Sequence, residues 1–262
     1  MRHAHDRAIL TGTQVPHFLE FLTYTELLLC CGIVLVASIL QISVGMGFGM
    51  LASPLIALIK PEIVPGTILI MGLVVAFSGT WSERHHMSIT ELKLGIGGRV
   101  IGSVMALGLL LLIPDVNVFM ILFGIVSLSA VLLTASGWQL VFNNKNLLNL
   151  SVVSGVMGTI TAVGAPPMAI IYHDKPPEVV RPTLNAFFGA GAVLGLASLQ
   201  VSGWLSIDDL IAAIVLLPAM FLGILIAEPF KKIPSFWLSR ILLLLSGAAS
   251  FLLIVRGALY WI

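Results

Sequence analysis

The chain carries little charge, and beyond residues 1–25 it has no extended polar stretch. Only 10% of its 262 residues are charged, while 58% are hydrophobic, and a soluble domain averages ~25% charged residues. The net charge is +1 and the lysines and arginines form no cluster, which excludes the basic surface that nucleic-acid binding needs. This shortage of charge predicts an integral membrane protein whose main partner is the lipid bilayer and which binds no nucleic acid.

Cysteines and catalytic motifs are also scarce. Cys30 and Cys31 are the only cysteines and lie side by side in an apolar run, where they can form neither a long-loop disulfide nor a zinc site. The sequence contains no G-x-S-x-G, H-E-x-x-H or P-loop pattern. We therefore expect no enzyme activity, no metal and no cofactor. Residues 1–25 lack the apolar core of a signal peptide and are interpreted as a polar N-terminal arm.

Apolar runs recur along the rest of the chain. They cover residues 26–44, 48–60, 63–81, 92–113, 117–137, 147–162, 165–173, 179–200, 209–227 and 236–257. The runs at 48–60 and 165–173 are too short to cross a bilayer as straight helices, because a crossing needs ~20 residues. The pattern predicts an all-α polytopic membrane protein with about 8–10 membrane segments and a broken or re-entrant helix in each half.

The chain also repeats itself, with an offset of 116 to 120 residues. Three segments recur in the same order: "PEIVPGT" at Pro61 with "PEVVRPT" at Pro177, "SITEL" at Ser88 with "SIDDL" at Ser206, and "IPDVNVF" at Ile113 with "IPSFWLS" at Ile233. Repeats of this kind are common in transporter folds. We therefore predict two homologous halves, at residues 26–140 and 141–262.

The orientation of the halves depends on the number of crossings, because an odd number inverts the second half. If the short segments cross, each half crosses five times, and one side collects Arg84, Lys93, Lys145, Lys175, Arg181, Lys231, Lys232 and Arg240 against Arg2, Arg7, Lys60 and Arg256 on the other. If the short segments return to the side they entered, the same cations divide evenly and the halves are parallel. The positive-inside rule favours the first alternative, with inverted halves and both termini outside.

A glycine-containing break precedes each short segment. Non-helical chain at membrane depth persists only where it is buried in protein or lines a polar cavity, and a helix N-terminus in such a cavity favours anions. The duplicated breaks therefore predict a substrate site for a small anion, with Thr159 and Thr161 as hydroxyl donors. The alternative is that glycines such as Gly49 and Gly158 only allow helices to pack closely.

Arg99 is the one charged residue deep in an apolar run. It lies about seven residues inside the segment that begins near Leu92, which is ~10 Å of helical rise. A charge at this depth indicates a functional site by default. The alternative is an arginine that extends its side chain to the membrane interface.

The breaks carry a resemblance to a known family. The glycine-rich "GMGFGM" followed by Pro54 and "VPGTILI", together with "GTITAVGAPPMAII" and "RPTLNAFFG" in the second half, resembles the sulfite exporter TauE/SafE family of membrane proteins over most of the chain. The resemblance implies a plasma-membrane transporter of sulfite, organosulfonates or other sulfur-containing anions. It implies a substrate-facing set of Gly45, Gly47, Gly49, Pro54, Thr67, Gly158, Gly164, Pro166, Pro167, Thr183 and Asn185.

Residues and resemblance together predict a secondary transporter that moves a small anion by alternating access. A coupling ion, H⁺ or Na⁺, and a homo-oligomeric state are both open. Two other classes are also open: a passive anion channel, and a non-transporting membrane scaffold or intramembrane enzyme. A carrier shows saturable counterflow, a channel shows currents that do not saturate, and a scaffold shows no flux.

Overall fold

The computed structural model describes residues 23–44, 48–232 and 235–259, and within these ranges its regular structure is helical, without a β-strand. The helices are α1 Tyr24–Val44, α2 Phe48–Ile59, α3 Gly66–Glu83, α4 Ile89–Leu111, α5 Val116–Ala135, α6 Asn144–Thr161, α7 Ala165–Tyr172, α8 Pro177–Ser202, α9 Ile207–Ile226 and α10 Ser235–Leu259. Short 3-10 turns lie at Pro61–Ile63, Arg84–His86 and Glu228–Lys232. Each predicted apolar run corresponds to one helix, which confirms the all-α class.

Six of the described helices are long and apolar enough to span a membrane. They are α1, α4, α5, α8, α9 and α10. By length and composition, the described helices thus include six candidate spans, fewer than the 8–10 membrane segments expected from the sequence. The helices α2 and α7 have 12 and 8 residues, and α6 begins with the polar sequence Asn144, Lys145 and Asn146. The chain is a multi-pass membrane protein.

Several helices begin at side chains that cap their first amides. The Asp115 carboxylate accepts hydrogen bonds from the backbone amides of Asn117 and Val118 at the start of α5. Ser206 and Asp209 form a capping box at the start of α9. The first amides of a helix have no partner within it, so these caps fix where each helix starts.

The helices α4 and α6 approach each other closely through small residues. A methyl group added at Gly102 of α4 would overlap the carbonyl oxygen of Val152, and one added at Gly155 of α6 would lie 2.7 Å from the Arg99 carbonyl oxygen. Small residues allow such approach in membranes, where van der Waals packing drives helix association. Gly155 therefore allows α4 and α6 to pack closely.

The short helix α7 runs back along α6 as an antiparallel hairpin. The Ser154 hydroxyl donates to the Gly164 carbonyl oxygen at 2.6 Å. The ring of Tyr172, at the end of α7, lies 5.3 Å from the ring of Phe142, which precedes α6. The end of α7 thus returns to the end of the bundle from which α6 starts.

The helices α1 and α2 form a second hairpin. The Phe48 amide, at the start of α2, donates to Gln41 Oε1 near the end of α1 at 3.0 Å. Lys60, just after α2, lies near enough to Glu26 at the start of α1 for the two charges to interact. The Arg256 guanidinium, near the end of α10, donates to the Leu58 carbonyl oxygen. This end of the bundle, called the terminal end, therefore holds the start of α1 and the ends of α2 and α10.

The opposite end holds the start of α6 and the end of α7, and we call it the cation-rich end. Lys175 Nζ lies 2.7 Å from Glu91 Oε1 there, and the Ser88 amide donates to Thr183 Oγ1 at 3.0 Å. These contacts place the starts of α4 and α8 at the cation-rich end. The two hairpins therefore enter the bundle from opposite ends.

The proline inside α2 leaves a carbonyl that another helix satisfies. Pro54 has no N–H, so the Met50 carbonyl oxygen, four residues earlier, loses its normal helical donor. The hydroxyl of Ser246 on α10 donates to that oxygen at 2.7 Å. In a membrane a backbone group without a partner is costly, and this bond explains how α2 tolerates its proline.

Candidate functional site

The two hairpins meet at their breaks. A methyl group added at Gly49, in the first turn of α2, would overlap the carbonyl oxygen of Ala162, the residue after α6. Ala162 has a φ of 59°, in the left-handed region, which costs an L-residue roughly 1–2 kcal/mol. The start of α2 and the turn after α6, from different parts of the chain, thus lie against each other inside the bundle.

Arg99 of α4 lies at the second break. Its Nη1 donates to the Ser154 carbonyl oxygen and to Ser154 Oγ, both at 2.7 Å. Ser154 Oγ in turn donates to the Gly164 carbonyl oxygen at 2.6 Å, immediately before α7. The Arg99 Cζ lies 5.4 Å from the centre of the Phe187 ring on α8. The residue is 2% exposed, so its side chain does not extend to the membrane interface.

Three glycines make room for the guanidinium. A methyl group added at Gly158 would overlap Nη2, one at Gly164 would crowd Nη1, and one at Gly191 would overlap Nε. The three residues come from α6, the α6–α7 break and α8. We call Arg99, Ser154, Gly158, Gly164 and Gly191 the arginine cradle.

The charge of Arg99 has no partner of opposite sign in the part of the chain that the structure describes. Two carboxylates there contact other residues: Glu91 lies beside Lys175, and Asp174 lies beside the His173 ring. Arg99 Nε is buried and has no hydrogen-bond partner among the described residues. Arg99 is stabilised instead by the neutral oxygens of Ser154. The end of α6 adds a partial negative charge of about half an elementary charge.

The buried guanidinium of Arg99 costs free energy to place in the membrane, and it has N–H donors free to bind an anion. A charge at the centre of a membrane span costs about 2.5–3.5 kcal/mol on insertion scales. The guanidinium presents five N–H donors in a planar fork that matches an oxyanion. Pro166 and Pro167 at the start of α7 are buried and have no N–H to donate, so in this half an anion would depend on Arg99 more than on helix amides.

The two predicted threonine donors of α6 serve the local structure. Thr159 Oγ1 donates to Ser103 Oγ of α4 at 3.0 Å. Thr161 Oγ1 donates to the Met157 carbonyl oxygen at 2.7 Å and accepts from the Val163 amide at 3.2 Å. Thr161 therefore supports the turn between α6 and α7, and both threonines are buried beside the cradle's elements.

Thr67 and Thr183 contact other elements than the cradle. Thr67, at the start of α3, donates its amide to Asp209 Oδ1 at 3.1 Å and its hydroxyl to the Asp209 carbonyl oxygen at 3.2 Å. Thr183 of α8 accepts from the Ser88 amide and donates to the Val179 carbonyl oxygen at 2.6 Å. Thr67 thus joins the start of α3 to the start of α9, and Thr183 joins the second turn of α8 to the start of α4. Asn185 of α8 is half-buried.

Gly45 and Gly47 lie outside the described residues. Gly49 lies at the contact between the breaks, and Pro54 is buried inside α2. Of the predicted set, the structure thus brings Gly158, Gly164 and Arg99 together. A metal is not suggested, since no group of three His, Cys, Asp or Glu side chains with the geometry for one occurs among the described residues.

Sequence reasoning missed Ser154, Phe187 and Gly191. The spacing of Gly191 and Gly195 on α8 was a signal for a close approach, although nothing in it identified Arg99 as the neighbour. Asp209, which is 0% exposed, was also missed, because "SIDDL" was read only as a repeat anchor.

These features define a class of protein: a helical multi-pass membrane protein with a buried cation where two broken hairpins meet. Residues 30–253 match the family described as Sulfite exporter TauE/SafE. The chain therefore belongs to this family, whose members are membrane transporters. No curated protein and no solved structure matches the chain.

Proposed function

We propose that the protein is a secondary transporter that exports a small anion, with sulfite, an organosulfonate or another sulfur-containing anion as substrate, across the plasma membrane by alternating access. The observation that carries the proposal is Arg99, a fully buried guanidinium without a counter-ion among the described residues, whose Nε has no partner. An arriving oxyanion would supply the missing charge and acceptor, and family membership favours a sulfur oxyanion.

The proposed substrate site comprises the arginine cradle and the break beside it. Arg99 Nε and Nη2 would donate to the anion, while Ser154 holds Nη1 in place. Gly49, with Gly45 and Gly47 nearby in sequence, would supply amides from the first break, and the glycines of the second break would keep side chains out. Thr67, Thr183 and Asn185 would not touch the anion at the cradle, and would affect the site only by positioning α3 and α8.

The proposed architecture is two inverted repeats, residues 26–140 and 141–262. Each would begin with a re-entrant hairpin, α1–α2 or α6–α7, that makes no net crossing. Three crossing helices follow in each repeat, and an odd number inverts the second repeat. The contacts of Thr67 with the start of α9 and of Thr183 with the start of α4 support this symmetry, because Thr67 corresponds to Thr183 in the sequence repeat and the segment SITEL corresponds to SIDDL.

This topology retains the unequal division of cations between the two sides. The helices α4 and α5 cross in opposite directions, so Arg84 and Lys145 lie on the same side. The α6–α7 hairpin returns to the side from which it starts, so Lys175 lies there too, at the cation-rich end. The positive-inside rule then favours a cytoplasmic cation-rich end. An exported anion would move down the membrane potential of a cell that is negative inside, gaining ~2.3 kcal/mol per charge per 100 mV.

Alternating access would follow from the two hairpins. The cradle is closed in this structure, since Arg99 is 2% exposed. We expect movement of α6–α7 to open it toward the cytoplasm and movement of α1–α2 to open it toward the outside. The Gly49–Ala162 contact would be the pivot between them.

The test is counterflow of labelled sulfite into proteoliposomes that contain the purified protein and unlabelled sulfite. We expect saturable uptake that methanesulfonate inhibits and acetate does not. Arg99→Gln should abolish it, while Gly97→Ala, on the open face of α4, should not. Absence of counterflow with each sulfur anion, from protein shown to be folded, would refute the proposed function. A current that does not saturate would instead indicate a channel.

A further inference from the structure

Among the described residues, Arg99 is the one charged side chain buried at the centre of the bundle. Among the described residues, the buried charged side chains are Arg99 and Asp209. Asp209 lies at the start of α9, toward the terminal end, where Thr67 and Ser206 donate to its carboxylate. Lys175 and Glu91, at the cation-rich end, neutralise each other.

In the part of the chain that the structure describes, the residues found against the guanidinium do not change charge with pH. The elements packed against it present Ser154 and Gly158 from α6, Gly164 from the break, and Phe187 and Gly191 from α8. None of these side chains titrates between mildly acidic and mildly alkaline pH. The cradle therefore offers one positive charge over this whole range.

We propose that the cradle selects its anion by charge state and accepts monoanions, such as hydrogen sulfite and alkanesulfonates, in preference to dianions, such as sulfate and fully deprotonated sulfite. The inference rests on the proposed function. A monoanion and Arg99 form a neutral pair, whereas a dianion leaves one uncompensated negative charge in a site closed to water, where desolvation is costly. The Phe187 ring adds to this effect, since the face of an aromatic ring is electronegative.

The experiment compares two kinds of anion in counterflow across a pH series, with equal pH on both sides of the membrane. Methanesulfonate stays a monoanion throughout, whereas sulfite passes from monoanion to dianion near neutral pH. We expect methanesulfonate flux to stay constant and sulfite flux to fall as pH rises, in proportion to the hydrogen sulfite present. Labelled sulfate should be carried at least tenfold more slowly than methanesulfonate.

A second measurement separates charge from shape. Propanesulfonate and ethane-1,2-disulfonate have similar length but differ by one negative charge, and we expect the first to compete at least tenfold more strongly. Arg99→Lys keeps the positive charge and should weaken both competitors while retaining the preference for the monoanion.

Two results would overturn the inference: sulfate carried as fast as methanesulfonate, or sulfite flux that rises with pH while methanesulfonate flux is constant. Either would leave the proposed function intact, because transport would still occur. No flux with any of these anions would refute the proposed function, and this inference with it.

Discussion

Arg99 is a costly residue to bury, and in the proposed function the same burial makes it available to an anion. Its Nη1 bonds hold the guanidinium in a fixed orientation, while its Nε has no partner among the described residues. A hydrogen bond to a charged group contributes about 1.5–3 kcal/mol net, so an oxyanion that completes the fork would be bound with useful affinity. The glycines around the guanidinium matter because a larger side chain at any of these positions would overlap or crowd the guanidinium.

The glycines of the cradle can be tested singly. Gly191→Ala adds a methyl group that overlaps Arg99 Nε, so the guanidinium must move, and we expect anion affinity to fall by about tenfold or more, the loss of one charge-assisted hydrogen bond. The measurement is equilibrium binding of sulfite to detergent-purified protein. Gly97→Ala adds the same methyl group two residues from Arg99, where nothing lies within 4 Å, and should bind normally. Equal affinities for the two variants would contradict the role of Gly191.

Among the elements, α2 contains an internal proline and receives a hydrogen bond from another helix. Ser246→Ala removes the donor to the Met50 carbonyl oxygen, and we expect a loss of about 0.5–1.5 kcal/mol in the free energy of unfolding. In a Pro54→Ala background the helix regains an N–H for that oxygen, so the loss should largely disappear. Unfolding in mixed micelles measures both effects.

Ser250→Ala is the matched control for this cycle. Ser250 is as buried as Ser246 and lies one turn further along α10, but its hydroxyl donates to the Ser246 carbonyl oxygen within its own helix. We expect a much smaller loss for this substitution. Similar losses at both serines, or a Ser246→Ala loss that Pro54→Ala does not reduce, would show that the α10–α2 bond does not stabilise the broken helix.

The start of α9 is joined to α3 through one buried carboxylate. Asp209 accepts from the Thr67 amide and the Ser206 amide, and Asp209→Asn replaces one acceptor oxygen by an NH₂ group that faces these donors. We expect a loss of about 1–3 kcal/mol in the free energy of unfolding. Asp208→Asn alters a partly exposed neighbour and should cost little. Equal stability of the two variants would refute a structural role for the α3–α9 junction.

The sequence predicted the described helices well, and it singled out Arg99, Gly158 and Gly164 of the arginine cradle but not Ser154 or Gly191. The apolar runs gave every helix, because burial in lipid imposes a long apolar stretch that is visible residue by residue. Arg99 could be identified from its depth in such a run. Ser154 and Gly191 could not, since their contact with Arg99 depends on α7 folding back along α6, and hairpin geometry of that kind is a property of tertiary packing rather than of any local pattern.

At the scale of the whole molecule, the proposed topology assigns each described loop to one side of the membrane. In it, Thr23 and Glu62 lie outside and Asn144 lies in the cytoplasm. Single cysteines at these exposed positions, in a Cys30→Ala and Cys31→Ala background, can be labelled in intact cells with a membrane-impermeant maleimide. We expect Thr23→Cys and Glu62→Cys to react, and Asn144→Cys to react only after permeabilisation.

The alternative topology gives a different pattern. If α1 crossed completely and α2 returned to the side it entered, Glu62 and Thr23 would face opposite sides. Labelling of Thr23→Cys without Glu62→Cys in intact cells would therefore contradict the inverted arrangement.

The most direct test of the central claim, that the buried Arg99 is the anion site, is equilibrium binding of labelled sulfite to the purified protein and to Arg99→Gln, with folding of both confirmed by thermal unfolding. We expect saturable binding in the natural protein, an affinity lower by at least about tenfold in Arg99→Gln, and partial retention of affinity in Arg99→Lys. Unchanged affinity in folded Arg99→Gln would contradict the claim and would mean that the guanidinium serves only to join α4 to the α6–α7 hairpin.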